Sequence, residues 1–121
     1  MQYLEFLKKA KELDPRNTFE KYSGSLDMVP ESIKDFYKEA NPVDVELTYD
    51  GCPIKLCSIQ EQEQLKGEYP EISDKFIVAT CNGDPFFIDD EKIYVYPHGC
   101  GSVDAELIIE DFFSFISSLI L

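Results

Sequence analysis

At 121 residues and 13.9 kDa, 44% hydrophobic and 29% charged, with nine Phe and seven Tyr, the chain has the size of one folded domain and the apolar bulk for a core, which excludes wholesale disorder. Eleven basic residues stand against 24 acidic ones; eight basic and 11 acidic residues fall in the first 60 positions and three basic and 13 acidic after them, so the halves carry −3 and −10 of the total −13. Such a field repels phosphates, which argues against direct DNA or RNA binding, and it steers basic partners inward.

Uninterrupted apolar runs such as residues 76–79 and 93–96 fall far short of the roughly 20 residues of a membrane span. The opening MQYLEFLKKAKELD has no apolar h-region, so no secretory signal and a soluble, cytoplasmic protein are expected.

In chain order, Tyr3, Leu7, Ala10 and Leu13 are spaced as one helical face over residues 2–13, and Asp14 followed by Pro15 ends it. Residues 14–29 read as a loop with a helical turn near Phe19 and Tyr22. A second helix starts near Pro30, a residue suited to a first helical turn, with Ile33, Phe36, Tyr37 and Ala40 as its apolar face and Asn41-Pro42 as its stop.

The period then changes to two. Val43, Val45, Leu47 and Tyr49 alternate with polar residues, Asp50-Gly51 turns the chain, and Ile54 and Leu56 continue the alternation: a hairpin. Pro53, which lacks a ladder donor, is best tolerated on an edge strand. Ser58 and Glu61 have capping-box spacing for a helix over residues 59–66. Residues 76–79, 85–89 and 93–97, joined by Asn82-Gly83 and Asp90-Glu91, predict an antiparallel meander. A final helix is expected from about residue 104 to the end, burying Ala105, Ile108, Ile109, Phe112, Ile116 and Leu119, with Leu107, Phe113 and Phe115 widening the stripe. Helices at both ends around antiparallel strands make the chain α+β.

Cys52, Cys57, Cys81 and Cys100 contain no CxxC pair and are expected as free thiols. The pairs Cys52 with Cys57 and His98 with Cys100 have atypical spacing for structural zinc, so no metal or cofactor is expected. His98, the one histidine, could pair with Cys100 as base and nucleophile, but no orienting motif accompanies them and no catalytic residue is assigned. Asp104 and Glu106 suit the positive end of the expected last helix.

Three stretches together resemble a known family: VPESIKDFYKEAN at residues 29–41, FIVATCNGDPFFID at 76–89 and VYPHG at 95–99, ahead of a Phe-rich closing segment. The chain is similar over roughly residues 26–121 to the SUKH superfamily, which takes in a yeast cell-wall synthesis regulator and many bacterial immunity proteins of polymorphic toxin systems. It departs from that pattern in having Pro42 after Asn41, where many members have Gly, and in lacking Trp. The resemblance implies an antiparallel sheet flanked by helices, no catalytic activity, and in the bacterial branch a protein that neutralises a toxin domain made by the same cell. Regulatory or scaffold binding of another cellular partner is the alternative, after the yeast member.

An acidic inhibitor suits a basic toxin such as a nuclease. The expected contact residues are Asp84, Asp89, Asp90, Glu91, Tyr94 and Tyr96. Turn chemistry alone also accounts for Asn82-Gly83-Asp84 and for Asp89-Asp90-Glu91. Tyr94 and Tyr96 share one strand face, as exposed anchors or packed beneath a helix.

Overall fold

In the computed structural model, which describes residues 3–96 and 105–120, three tight turns organise the sheet. Asp50 and Gly51 have φ of 49° and 81°, and Asn82 and Gly83 have 53° and 86°, the paired left-handed conformations of a two-residue hairpin. The first turn joins β2 (Asn41–Tyr49) to β3 (Cys52–Leu56), with Tyr49 opposite Cys52. The second joins β4 (Phe76–Cys81) to β5 (Asp84–Asp89), with Cys81 opposite Asp84. A third turn, Asp90-Glu91, leads into β6 (Lys92–Val95) with Asp89 opposite Lys92. With β1 (Thr18–Glu20) and β7 (Glu106–Ile109) outermost, the seven strands form one antiparallel sheet in sequence order.

The chain is α+β, as the sequence predicts, and helices lie on both faces of the sheet. Against one face pack α1 (Leu4–Leu13), α2 (Lys34–Glu39) and α4 (Phe112–Ser118), enclosing the larger core with Val45, Leu47, Ile54, Phe86, Ile88 and Ile93. Phe36 is its hub: fully buried, it meets Tyr3, Tyr37 and Phe112 edge-on at ring-centroid distances of 5.3, 5.4 and 5.2 Å. Burying each such ring stabilises the fold by about 1.5–3 kcal/mol. On the other face α3 (Gln62–Glu68) and the turn after it set Leu65, Tyr69 and Ile72 on Cys57, Ile77 and Phe87, a smaller core. No helix among the described residues is long and apolar enough to cross a membrane.

Several expectations need correction. Residues from 104 onward do not form one helix. Glu106–Ile109 is β7, paired with β6 through Ile93↔Ile109 and Tyr94↔Leu107, while Ala105 and Leu107 are exposed and Ile108 and Ile109 half-buried. A short apolar run does not reveal its period, and the β-branched Ile108 and Ile109 accept the template that β6 offers. The helix is confined to α4, whose Ser114, Ser117 and Ser118 face water, so it is not covered around most of its circumference.

The cap that starts α4 was present in the sequence. Asp111 accepts hydrogen bonds from the Ser114 backbone N–H at 2.9 Å and the Ser114 hydroxyl at 2.8 Å, which hold its carboxyl below the ordinary value. Asp111→Ala is expected to destabilise the fold by about 1 kcal/mol at pH 7. Because the native pKa is the lower one, that stabilisation is fully present above about pH 4 and is lost as pH falls through the native value. Denaturant titrations of both proteins at pH 7 and pH 2.5 check that the gap closes in acid.

Three further corrections concern the first half of the chain. In α1 the buried positions are Phe6 and Ala10, with Tyr3 just ahead of the helix, whereas Leu7 is half-buried and Leu13 is 61% exposed. Phe19 lies in β1 and not in a helical turn, because the buried Asn17 amide ties this stretch to its neighbours: it donates to the Ala10 carbonyl and accepts from Glu46 N–H, both at 2.9 Å. Pro53 sits on an internal strand, but β4 pairs with β3 only at Lys55 and Leu56, so the missing donor falls where β3 has no neighbour on that side.

Candidate partner-binding surface

The capping box forms reciprocally: Ser58 N–H donates to the Glu61 carboxylate at 2.9 Å, and Glu61 N–H donates to Ser58 Oγ at 3.2 Å. Regular helix begins one residue later than this box and runs to Glu68, two residues past the predicted end. The turn carries Gln62 beneath the sheet. There β3 has already left β4, and the backbone of Ile77 would lack a partner on that side. The buried Gln62 amide takes the place of a strand, accepting from Ile77 N–H at 3.0 Å and donating to the Ile77 carbonyl at 2.8 Å and the Ser58 carbonyl at 3.1 Å. The sequence pattern had not singled out Gln62, since a polar residue in a first helical turn reads as solvated.

This clamp fixes the start of β4, where Lys75 and Phe76 form one wall of an open groove of about 510 Å³. Residues 27–32, ahead of α2, form the second wall and residues 88–91 the third. Its described lining carries six carboxylates (Asp27, Glu31, Asp74, Asp89, Asp90 and Glu91) against the single ammonium of Lys75, around the half-exposed Met28. Lys75 is held internally by Asp89 at 3.3 Å and Asp74 at 3.7 Å, and the Asp89 carboxylate raises its pKa. Glu31 pairs with Lys34 at 3.1 Å. Asp90 and Glu91 have no ion-pair partner among the described residues and stand exposed at the rim.

The turn bearing these two differs from the other hairpins. Asp90 and Glu91 both have positive φ, 51° and 68°, where the earlier turns place glycine second. Left-handed backbone disfavours an L side chain by about 1–2 kcal/mol. Glu91→Gly is therefore expected to stabilise the fold by about 1 kcal/mol, which chemical denaturation would measure; a loss of stability would mean that the glutamate side chain supports the fold.

The six expected contact residues do not form one patch. Asp89, Asp90 and Glu91 lie together at one end of the β5–β6 hairpin, while Asp84 begins β5 at the other, roughly 17 Å away for five extended residues. Asp84 sits by the second turn, near Tyr69, and Tyr96 lies at that same end, its N–H donating to the Pro85 carbonyl at 3.0 Å. Tyr94 falls between the two ends, stacked on Phe87 at 5.5 Å with planes 14° apart. Both tyrosines share a face, as predicted, and both are half-buried at the flank of the cluster under α3. Neither a bare anchor nor a covered core position describes them.

Sequence distance hid the groove itself, because residues 27–32 lie some sixty positions before the Asp90-Glu91 turn. Nothing in the pattern linked them to Asp90. His98, Cys100 and Asp104 lie outside the described residues. Burial pushes the Cys57 and Cys81 thiols above the ordinary value, which suppresses the thiolate at neutral pH. Among the described residues, no three His, Cys, Asp or Glu side chains converge as metal ligands would. No protein-family model, curated protein or solved structure matches the chain.

Proposed function

We propose that the chain is a non-enzymatic immunity protein that acts in the cytoplasm, binding a cognate basic toxin domain, such as a nuclease, and neutralising it by covering its active surface. The observation that carries this reading is the acidic groove closed by Asp90 and Glu91, two carboxylates without an ion-pair partner among the described residues, both held at positive φ. A domain that grips nucleic-acid phosphates must be basic, and an acidic groove offers that surface a competing set of charges. The C-terminal half, at −10, steers such a partner toward the meander. The resemblance of FIVATCNGDPFFID and VPESIKDFYKEAN to the SUKH superfamily supports the same reading.

Within this account Asp90 and Glu91 make the first charged contacts, and Asp89 joins them if a partner's arginine displaces Lys75. Tyr94, midway along the hairpin, and Tyr96, at the Asp84 end, supply apolar area that extends away from the turn. Asp84, a strand length away, contributes to the field more than to the same contact.

The test is cellular. A toxin gene directly upstream of this one, expressed alone, should arrest growth, and co-expression of this chain should restore it. Arrest that persists at equal protein levels counts against the immunity reading. No toxin gene beside it, with capture of a non-toxin protein, favours the regulatory alternative.

A further inference from the structure

The two edges of the sheet are finished differently. β1 is three residues long, and the chain on both sides of it is tied down: Asn17 bonds to Ala10 and Glu46, and Tyr22 N–H donates to the Lys38 carbonyl at 2.9 Å. β7 hydrogen-bonds to β6, but on its outer side no backbone group of residues 106–109 has a partner among the described residues. Leu107 is 45% exposed, and among the described residues it is the one large exposed hydrophobe that lies in a strand.

The sheet face that Leu107 belongs to changes character along its width. Over β2 and β3 it shows Asp44, Glu46, Thr48 and Lys55, which water solvates well. Over β6 and β7 it shows Tyr94 and Tyr96, with Leu107 directly opposite Tyr94. An unpaired edge next to an apolar strip is a template for another strand, and proteins normally blunt such edges with lysine, proline or burial. Here the flanking charges are all negative, with Glu106 on one side and Glu110 and Asp111 on the other.

From this we infer that β7 is an acceptor edge for an extended, basic segment of a partner protein, which adds an eighth strand to the sheet. Alternate apolar side chains of that segment pack beside Leu107 and Tyr94, and its lysines or arginines meet Glu106 and Glu110. A second copy of this chain fits poorly, because antiparallel pairing of two β7 strands brings Glu106 of one toward Glu110 of the other. The inference deepens the proposed function, resting on its premise of a basic protein partner, but it concerns a different surface from the Asp90-Glu91 groove.

The experiment uses the 121-residue chain and a synthetic peptide of alternating lysine and valine, with a block-ordered peptide of the same composition as control. Amide exchange by NMR should slow about tenfold at residues 106–109 with the alternating peptide and not at residues 18–20. Leu107→Asp should weaken its binding about tenfold even though it adds a negative charge, with unchanged thermal unfolding since the side chain is exposed. Equal binding of the block peptide, tighter binding to Leu107→Asp, or unprotected β7 amides would each overturn the inference in favour of plain electrostatic adhesion. A dimer of the chain alone with protected β7 amides would overturn it in favour of a second copy. A captured toxin that leaves these amides unprotected removes the edge and keeps the immunity reading, whereas a protected edge with no toxin found does the reverse.

Discussion

Replacing Gln62 with leucine is expected to destabilise the protein by about 3 kcal/mol or more, a large share of the roughly 5–15 kcal/mol that holds a domain together. Leucine fills similar space, so the loss is one of hydrogen bonding. The N–H and carbonyl of Ile77 and the carbonyl of Ser58 would be left buried without the Gln62 amide that now meets them. Each orphaned group costs about 1–3 kcal/mol. The melting temperature should fall on the order of 10 °C. Gln64→Leu, two residues on, is the control: its side chain reaches only the exposed Glu68 at 3.1 Å, and its effect should stay within about 0.5 kcal/mol. Equal stabilities for the Gln62 and Gln64 variants would mean that Ile77 finds another partner. The functional consequence is local, since Ile77 lies two residues from Lys75, and a loosened β4 start would misplace one wall of the acidic groove.

The second large effect concerns association. Reversing both turn charges, Asp90→Lys with Glu91→Lys, should slow binding to the proposed basic partner by about tenfold or more at low salt and flatten the salt dependence of the rate, with a smaller change in dissociation. Asp89 stays intact in this variant, because its pair with Lys75 ties the residue before β4 to the end of β5 and its removal would mix a folding effect with a binding one. The exposed double variant should unfold within about 0.5 kcal/mol of the wild type. Stopped-flow rates at several ionic strengths check this, and an unchanged association rate would remove the turn from the interface.

Much of the fold was legible because certain residues leave few choices. Asp50-Gly51 and Asn82-Gly83 supply the left-handed conformations that two-residue hairpins require, and the periods on either side agree with them. Ile33, Phe36, Tyr37 and Ala40 mark a buried helical face at the right spacing, and all four are buried. Ser58 and Glu61 announce a helix start through a reciprocal bond that forms.

The misread segments share a cause. β1 and β7 are three and four residues long, too short to show a period, and each becomes a strand only because a neighbour offers unpaired backbone. Asp111 was the available signal against a continuous last helix, since a good N-cap residue in the middle of a supposed helix marks a new start.

The surface was legible in kind but not in geometry. Acidity, the Asp90-Glu91 turn and the shared face of Tyr94 and Tyr96 were all readable. A strand separates its two ends by more than a contact distance, so Asp84 and Asp89, close in sequence, fall apart in space. Conversely Asp27 and Glu31 join Asp90 and Glu91 across some sixty residues of chain, which only tertiary packing decides.

On the proposed function, this chain binds one basic toxin domain through charges at the Asp90-Glu91 turn. The most direct measurement is a pull-down from the source organism's lysate at about 0.15 M salt and at several-fold higher salt, with the wild-type chain and the Asp90→Lys, Glu91→Lys variant as parallel baits. One near-stoichiometric basic polypeptide with a toxin domain is expected on the wild-type bait, much reduced on the variant. A neutral or acidic partner, or equal capture by both baits, would contradict it.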